Sequence, residues 1–242
     1  MMYTLLVLWN VDLTLVDVAR VTRAAYAEAF AKVADRPLVH LPQMAGRSES
    51  EVFFEALALN GADMSGAAER LLEPFSIELA KAMQVRGGDL STHGQLMPGA
   101  ADALQAIQGL DKAVQSVLTG SSKPNAMLKL TAFNLDRFVD LEVGGFGTEA
   151  YPRGTLLQVT KQRASEKYGA DFDDDSTVYI ADSPRDVEAA QIGGARSIAV
   201  ASGRATAAEL QAAGPTAVLP DLTDTQALLR AVLAPPTASR AS

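Results

Sequence analysis

The chain has 242 residues, 48% of them apolar, enough to bury one large core or a core and a smaller appended unit. Its 29 acidic residues against 21 basic ones leave a net charge of −8, which gives no electrostatic footprint for nucleic acid or an anionic membrane; a small anionic ligand has to be met by local cations or a metal. Cysteine is absent, so disulfides, thiolate nucleophiles and cysteine-ligated zinc or iron–sulfur centres are excluded. The first apolar run, YTLLVLW, is broken by Asn10 and Asp12 well short of the roughly 20 residues that cross a bilayer, and no basic leader precedes it. It predicts a buried strand in a cytoplasmic protein with no membrane partner. In VLWNVDLTLVD, residues 7 to 17, that strand runs into a polar turn with Asn10, Asp12 and Thr14 spaced two apart. Extended chain would turn all three toward one site.

From residue 18 to about 92 helical patterns follow one another (VARVTRAAYAEAFAKVA, SESEVFFEALALNG, GAAERLLEPFSIELAKAM) without an evident strand. Short β-rich runs then alternate with helices: AVQSVL at 113–118, FVDLEVG at 138–144, TVYIA at 177–181 and RSIAVA at 196–201. This alternation predicts an α/β fold, a Rossmann-like doubly wound parallel sheet, with residues 1–16 and 93–234 forming the core. Residues 17–92 are expected to form a helical cap over the carboxyl end of the first strand, where open α/β sheets bind ligands, and the proline- and serine-rich residues 235–242 a flexible tail.

Four polar groups fall at predicted strand ends: Asn10, Asp12 and Thr14; Thr119 with Gly120 and Ser121 in VLTGSSK; Arg153 and Lys161 around a helix start; and Asp182 and Asp186 in IADSPRD. Taken in order, these resemble the four motifs of the haloacid dehalogenase superfamily, in particular its phosphoglycolate phosphatase-like members with a helical cap inserted after the first motif. The resemblance covers residues 3 to 233. It implies a phosphoric monoester hydrolase working through an aspartyl-phosphate on a small phosphorylated metabolite, with Mg²⁺ as cofactor. Position 10 is then the nucleophile's place and Asp12 the general acid and base. Thr119 would bind a phosphate oxygen, helped by Thr14 and the Gly120 and Ser121 backbone. Arg153 would be the fixed cation, preferred to Lys161. Asn10, Asp12, Asp182 and Asp186 would form the metal site.

The chain departs from the pattern at its centre, because an amide at position 10 is uncharged and a very poor nucleophile. An exchanged aspartate that traps ligand, a natural variant without phosphatase activity and a sequence error all fit this departure. Leu13, where the family often has Gly or a small or polar residue, and Ala181, where Gly is common, are softer departures. This form is therefore expected to be inactive or substrate-trapping; a natural phosphate-ligand-binding or regulatory protein is the alternative, with phosphomutase and haloacid dehalogenase activities ranked lower. Asp182 with Ser183 also reads as a plain cap on the helix opening at Pro184.

Other signals carry less. GFGTEA at 145–150 opens no helix, DFDDDS at 171–176 lacks the glycine and closing glutamate of a calcium loop, and His40 and His93 stand alone. Arg47, after a glycine in the cap, is a candidate for the substrate's anionic part, with a plain surface arginine as the equal alternative. Oligomeric state is not legible in the sequence.

Overall fold

A computed structural model describes residues 4–62, 68–149 and 153–235. Residues 66–67 of the third helical pattern, Ala150 of the glycine-rich run, Tyr151 and Pro152 before Arg153, and tail residues 236–242 lie outside them.

Six parallel strands form one sheet: β1 (Leu5–Trp9), β4 (Ala113–Thr119), β5 (Gly145–Phe146), β6 (Thr177–Ala181), β7 (Arg196–Val200) and β8 (Ala217–Leu219), in the order β5-β4-β1-β6-β7-β8. A second, two-stranded ribbon pairs β2 (Val16–Asp17) antiparallel with β3 (Gln95–Leu96). The helices are α1 (Ala19–Ala34), α2 (Glu49–Leu59), α3 (Leu72–Val85), α4 (Gly87–His93), α5 (Ala100–Gln108), α6 (Lys123–Ala132), α7 (Arg153–Tyr168), α8 (Pro184–Gly193), α9 (Ala207–Ala212) and α10 (Thr225–Leu233). None of them is long and apolar enough to cross a membrane.

β1 is central because its sequence is apolar at every position and can therefore be covered on both faces. Val7 and Trp9 point into one buried cluster with Ile180 and Ile198, while Leu6 and Leu8 point into the other with Leu118 and Tyr179. The indole of Trp9 donates to Gln115 Oε1 at 3.0 Å, and Gln115 donates onward to the Leu104 carbonyl at 3.0 Å, so the polar atoms of this strand pair are satisfied. The chain crosses from β1 to β4 and β5 on one side, then returns to β6 on the other. That reversal places the carboxyl ends of β1, β4 and β6 side by side.

Helices α1 to α4 lie between β2 and β3, so both connections of the helical segment run together through the two-stranded ribbon. The segment has an aromatic interior, with Phe53 stacked on Phe75 at 4.2 Å and Tyr26 edge-on to Phe75 at 4.8 Å. A capping box fixes the start of α2, Ser48 accepting from the Glu51 N–H and Glu51 from the Ser48 N–H.

Two strand expectations are corrected. FVDLEVG is not a strand: Phe138 closes a 3₁₀ turn, and Asp140 Oδ1 accepts from the Glu142 N–H at 3.0 Å, bending the chain into an Asx-type turn before β5 begins at Gly145. β8 was not expected; it is three residues long, and two of them are only partly buried.

Candidate active site

The extended chain of β1 ends at Trp9, so the alternation expected of Asn10, Asp12 and Thr14 breaks down. Leu13 sits in the left-handed region at φ +61°, a costly conformation for a branched side chain, and Ser202 Oγ donates to its carbonyl at 2.7 Å. The turn separates the three side chains into two groups. Asn10 Nδ2 donates to Asp182 Oδ1 at 2.9 Å and to the Asp12 carbonyl at 3.0 Å, and Thr14 Oγ1 donates to the same Asp182 oxygen at 2.9 Å. The Asp12 carboxylate points the other way, to Lys129 Nζ at 2.7 and 2.8 Å and Ser121 Oγ at 3.2 Å.

One cavity opens between the strand ends and the helical segment. Asn10, Asp12, Thr119, Gly120, Ser121, Arg47 and Arg153 line it, joined by Lys129, Arg204 and Arg23, which were not expected. Thr14, Asp182, Asp186 and Lys161 do not line it. Thr14 is fully buried behind Asn10, where it orients Asp182 rather than meeting a phosphate. Lys161 is corrected more plainly: its ammonium bonds the Gly194 carbonyl at 2.6 Å and Asp174 at 2.9 Å, away from the cavity.

Asp186 differs from its expected role as a metal ligand because its oxygens are already engaged. Arg153 pairs with Oδ1, Tyr179 donates to Oδ1 at 2.9 Å and Ser183 Oγ donates to Oδ2 at 2.5 Å. Ser183, not Asp182, caps α8 by accepting from the Asp186 N–H. Burial opposes the charge on Arg153, but Asp186 outweighs it and holds the guanidinium above its usual range. Arg153 also donates through Nη2 to the Arg47 carbonyl at 3.2 Å, tying the helical segment to the core. The same carbonyl would lie 2.0 Å from any Cβ at position 120, so only glycine fits there.

Burial, and next the charge of Asp186, push the Asp182 carboxyl up to about 7, with the Thr14 and Asn10 hydrogen bonds opposing them. Gly203 packs against it so closely that a Cβ would stand 2.0 Å from Oδ2. Folded chain thus keeps the Asp182 proton up to about pH 7, whereas unfolded chain releases it near 3.8. The folded state binds more protons across that window, so stability falls as pH rises through it, by at most about 4 kcal/mol. Asp182→Asn is expected to remove this slope. Urea unfolding at pH 5 and pH 8 checks it: the variant should gain on the parent by about 2 kcal/mol or more between the two, and a pH-independent difference would contradict the assignment.

As they stand, these groups do not fit Mg²⁺. A hard divalent ion takes carboxylate and carbonyl oxygens, but the Asp12 carboxylate is held by Lys129, Asp186 by Arg153, and the Asn10 amide presents N–H to the Asp12 carbonyl and to Oδ1 of Asp182. Among the described residues no three His, Cys, Asp or Glu side chains cluster as a metal site would.

Of the three residues that sequence reasoning missed, Lys129 is the buried one. It shares the buried face of α6 with Asn125, Ala126 and Leu130, and a lysine within an apolar stripe was the available signal.

Solved structures similar over nearly the whole chain include a hydrolase from Pseudomonas syringae (TM-score 0.66, 22% identity, 93% of this chain and 97% of that one) and a "predicted phosphatase" from Clostridium acetobutylicum (0.68, 18%, 95% and 100%). A "predicted phosphoglycolate phosphatase" from Haemophilus somnus 129pt is similar as well (0.63, 16%, 95% and 99%). At these identities the likeness shows the fold. No curated protein matches the chain at a significant level. The model of the haloacid dehalogenase-like hydrolases matches residues 7–191, more than half of the sequence and all four strand-end groups, and the chain belongs to that family.

Proposed function

We propose that the chain is built as a phosphatase for a small phosphorylated metabolite and that Asn10 holds it at the binding stage. The observation that carries this is the cavity's charge. In a chain of net charge −8, Arg23, Arg47, Lys129, Arg153 and Arg204 all line one cavity whose floor is Asn10 and Asp12. Arg23 and Arg204 have no carboxylate partner among the described residues, so they meet an incoming phosphate without first giving up an ion pair. The Thr119 hydroxyl accepts from the Ser121 N–H at 3.2 Å, which leaves its own proton free to donate to a phosphate oxygen.

In this reading Asp12 is the general acid and base, kept in reach of the cavity by Lys129 and Ser121. Position 10 is where a carboxylate would attack phosphorus, and the amide there supplies neither the charge nor the nucleophile. Mg²⁺ joins the reading only for an aspartate at position 10, where a second carboxylate would stand beside Asp182.

A non-catalytic binding role is the second reading. It is favoured by the settled place of the Asn10 amide nitrogen, which meets the Asp12 carbonyl at 3.0 Å and Asp182 Oδ1 at 2.9 Å.

Calorimetric titration with orthophosphate tests the shared element of both. One site per chain is expected, with Thr119→Val and Arg204→Met each weakening it about tenfold, or ~1.4 kcal/mol. Equal affinity in all three proteins would remove phosphate from this cavity.

A further inference from the structure

Above the phosphate-facing floor, the wall of the cavity contributed by the helical segment is apolar, formed by Val18, Val52, Leu79 and Met83. Three polar residues, Thr22, Arg47 and Glu49, also line the cavity, and they share an unusual property. Each carries one buried atom, Thr22 Oγ1, Arg47 Nε and Glu49 Oε2, with no hydrogen-bond partner among the described residues. Buried polar atoms are almost always paired, and each exception calls for a reason. Thr22 lies on α1, where its hydroxyl ordinarily bonds back to a carbonyl one turn earlier; here it does not.

Glu49 is 8% exposed, and its other oxygen accepts from Asn125 Nδ2 at 3.0 Å. Burial pushes its carboxyl up, while hydrogen bonding from Asn125 and Ser122 and the charge of Lys129 oppose that; by strict geometry Oε2 has no partner among the described residues. Three residues lining one cavity thus carry unused hydrogen-bonding capacity.

We propose that this wall is a hydroxyl-reading subsite, and that the phosphate ester this chain takes carries a polyol- or sugar-like alcohol. The inference rests on the phosphate-binding reading above and adds the identity of the organic part. A ligand hydroxyl donates and accepts at once, so it can give its proton to Glu49 Oε2 and take one from Arg47 Nε or Thr22 Oγ1. The carbon skeleton lies against the apolar wall. A ligand carboxylate would bring a second negative charge against Glu49 in a place sheltered from water. The geometry therefore selects against glycolate-type esters, although a structural relative carries that name.

The test is calorimetric titration of the whole chain with orthophosphate, glycerol phosphate, propyl phosphate and phosphoglycolate. Glycerol phosphate should bind at least about tenfold more tightly than propyl phosphate, and phosphoglycolate more weakly than glycerol phosphate, because a site built for hydroxyls leaves its polar groups unpaired with the deoxy analogue. Glu49→Gln and the shape-conserving Thr22→Val should each shrink the glycerol-to-propyl ratio, Thr22→Val with little effect on folding. Equal binding of glycerol and propyl phosphates, or preference for phosphoglycolate, overturns the subsite. If orthophosphate still binds in that case, the phosphate reading stands and the subsite alone falls. If orthophosphate and every ester fail to bind, the phosphate reading falls and takes the subsite with it.

Discussion

Asn10→Asp is expected to raise phosphate release from background to a rate at least about 1,000-fold higher with Mg²⁺ supplied, a barrier change of about 4 kcal/mol. The argument starts from the uncharged amide, which cannot form an acyl-phosphate at any useful rate, and from how much else is already placed. The cations, Thr119, Asp12 and Lys129 line the same cavity as position 10. A single atom exchange then supplies the missing nucleophile without moving the backbone.

The same exchange has a second consequence that activity does not measure. Asn10 Nδ2 lies 2.9 Å from Asp182 Oδ1, so at a pH above about 7, where Asp182 has given up its proton, an aspartate would set two carboxylates against each other in a buried place. Asn10→Asp should therefore melt at a lower temperature than the parent without metal and recover by several degrees with Mg²⁺, as a cation joins the two carboxylates. The parent, whose amide already bonds Asp182, should show no comparable shift. A variant that binds orthophosphate and Mg²⁺ yet releases nothing from a broad ester panel would establish the binding role instead.

How much of this was legible in the sequence depended on whether a residue's role followed from its neighbours in the chain. β1 and β6 were legible because parallel strands covered on both faces are apolar almost throughout, as LLVLW and TVYIA are, and β4 and β7 because their β-branched and aliphatic runs keep that character despite Gln115, Ser116 and Ser197. FVDLEVG misled because Asp140 diverts the backbone through its own side chain, a competition that an apolar pattern does not register. The strand-end positions of Asn10, Thr119 and Asp182 followed from the fold, but the direction of each side chain did not. Leu13 turns the backbone at φ +61°, sending Asp12 to Lys129 while Asn10 and Thr14 share Asp182. Asp186 read as a ligand because its partner, Arg153, stands 33 residues away and on another helix. Glu49, in the first turn of α2, carries no sequence signal of burial; the start of that helix is held against the Gly120 carbonyl and Asn125, which sit far away in the chain.

The ion pair between Asp12 and Lys129 should show an asymmetry that separates a built catalytic clamp from a surface pair. Lys129 is 2% exposed and Asp12 39% exposed, so the two partners do not lose the same thing when the other is removed. Asp12→Ala leaves a buried ammonium with Ser121 Oγ, 2.9 Å away, as its one hydrogen-bond acceptor among the described residues, and should cost about 3–5 kcal/mol of folding stability. Lys129→Met removes the buried charge, keeps the volume of the stem and leaves a carboxylate that water can reach; it should cost about 1–2 kcal/mol. Adding Asp12→Ala to Lys129→Met should then cost little more, so the double variant is more stable than Asp12→Ala alone. Urea unfolding of the four proteins measures the cycle directly. Additive losses would mean that the two side chains do not depend on each other. Coupling in the expected sense, followed by loss of turnover on adding Lys129→Met to Asn10→Asp, would tie the buried lysine to the orientation of the Asp12 carboxylate in the reaction.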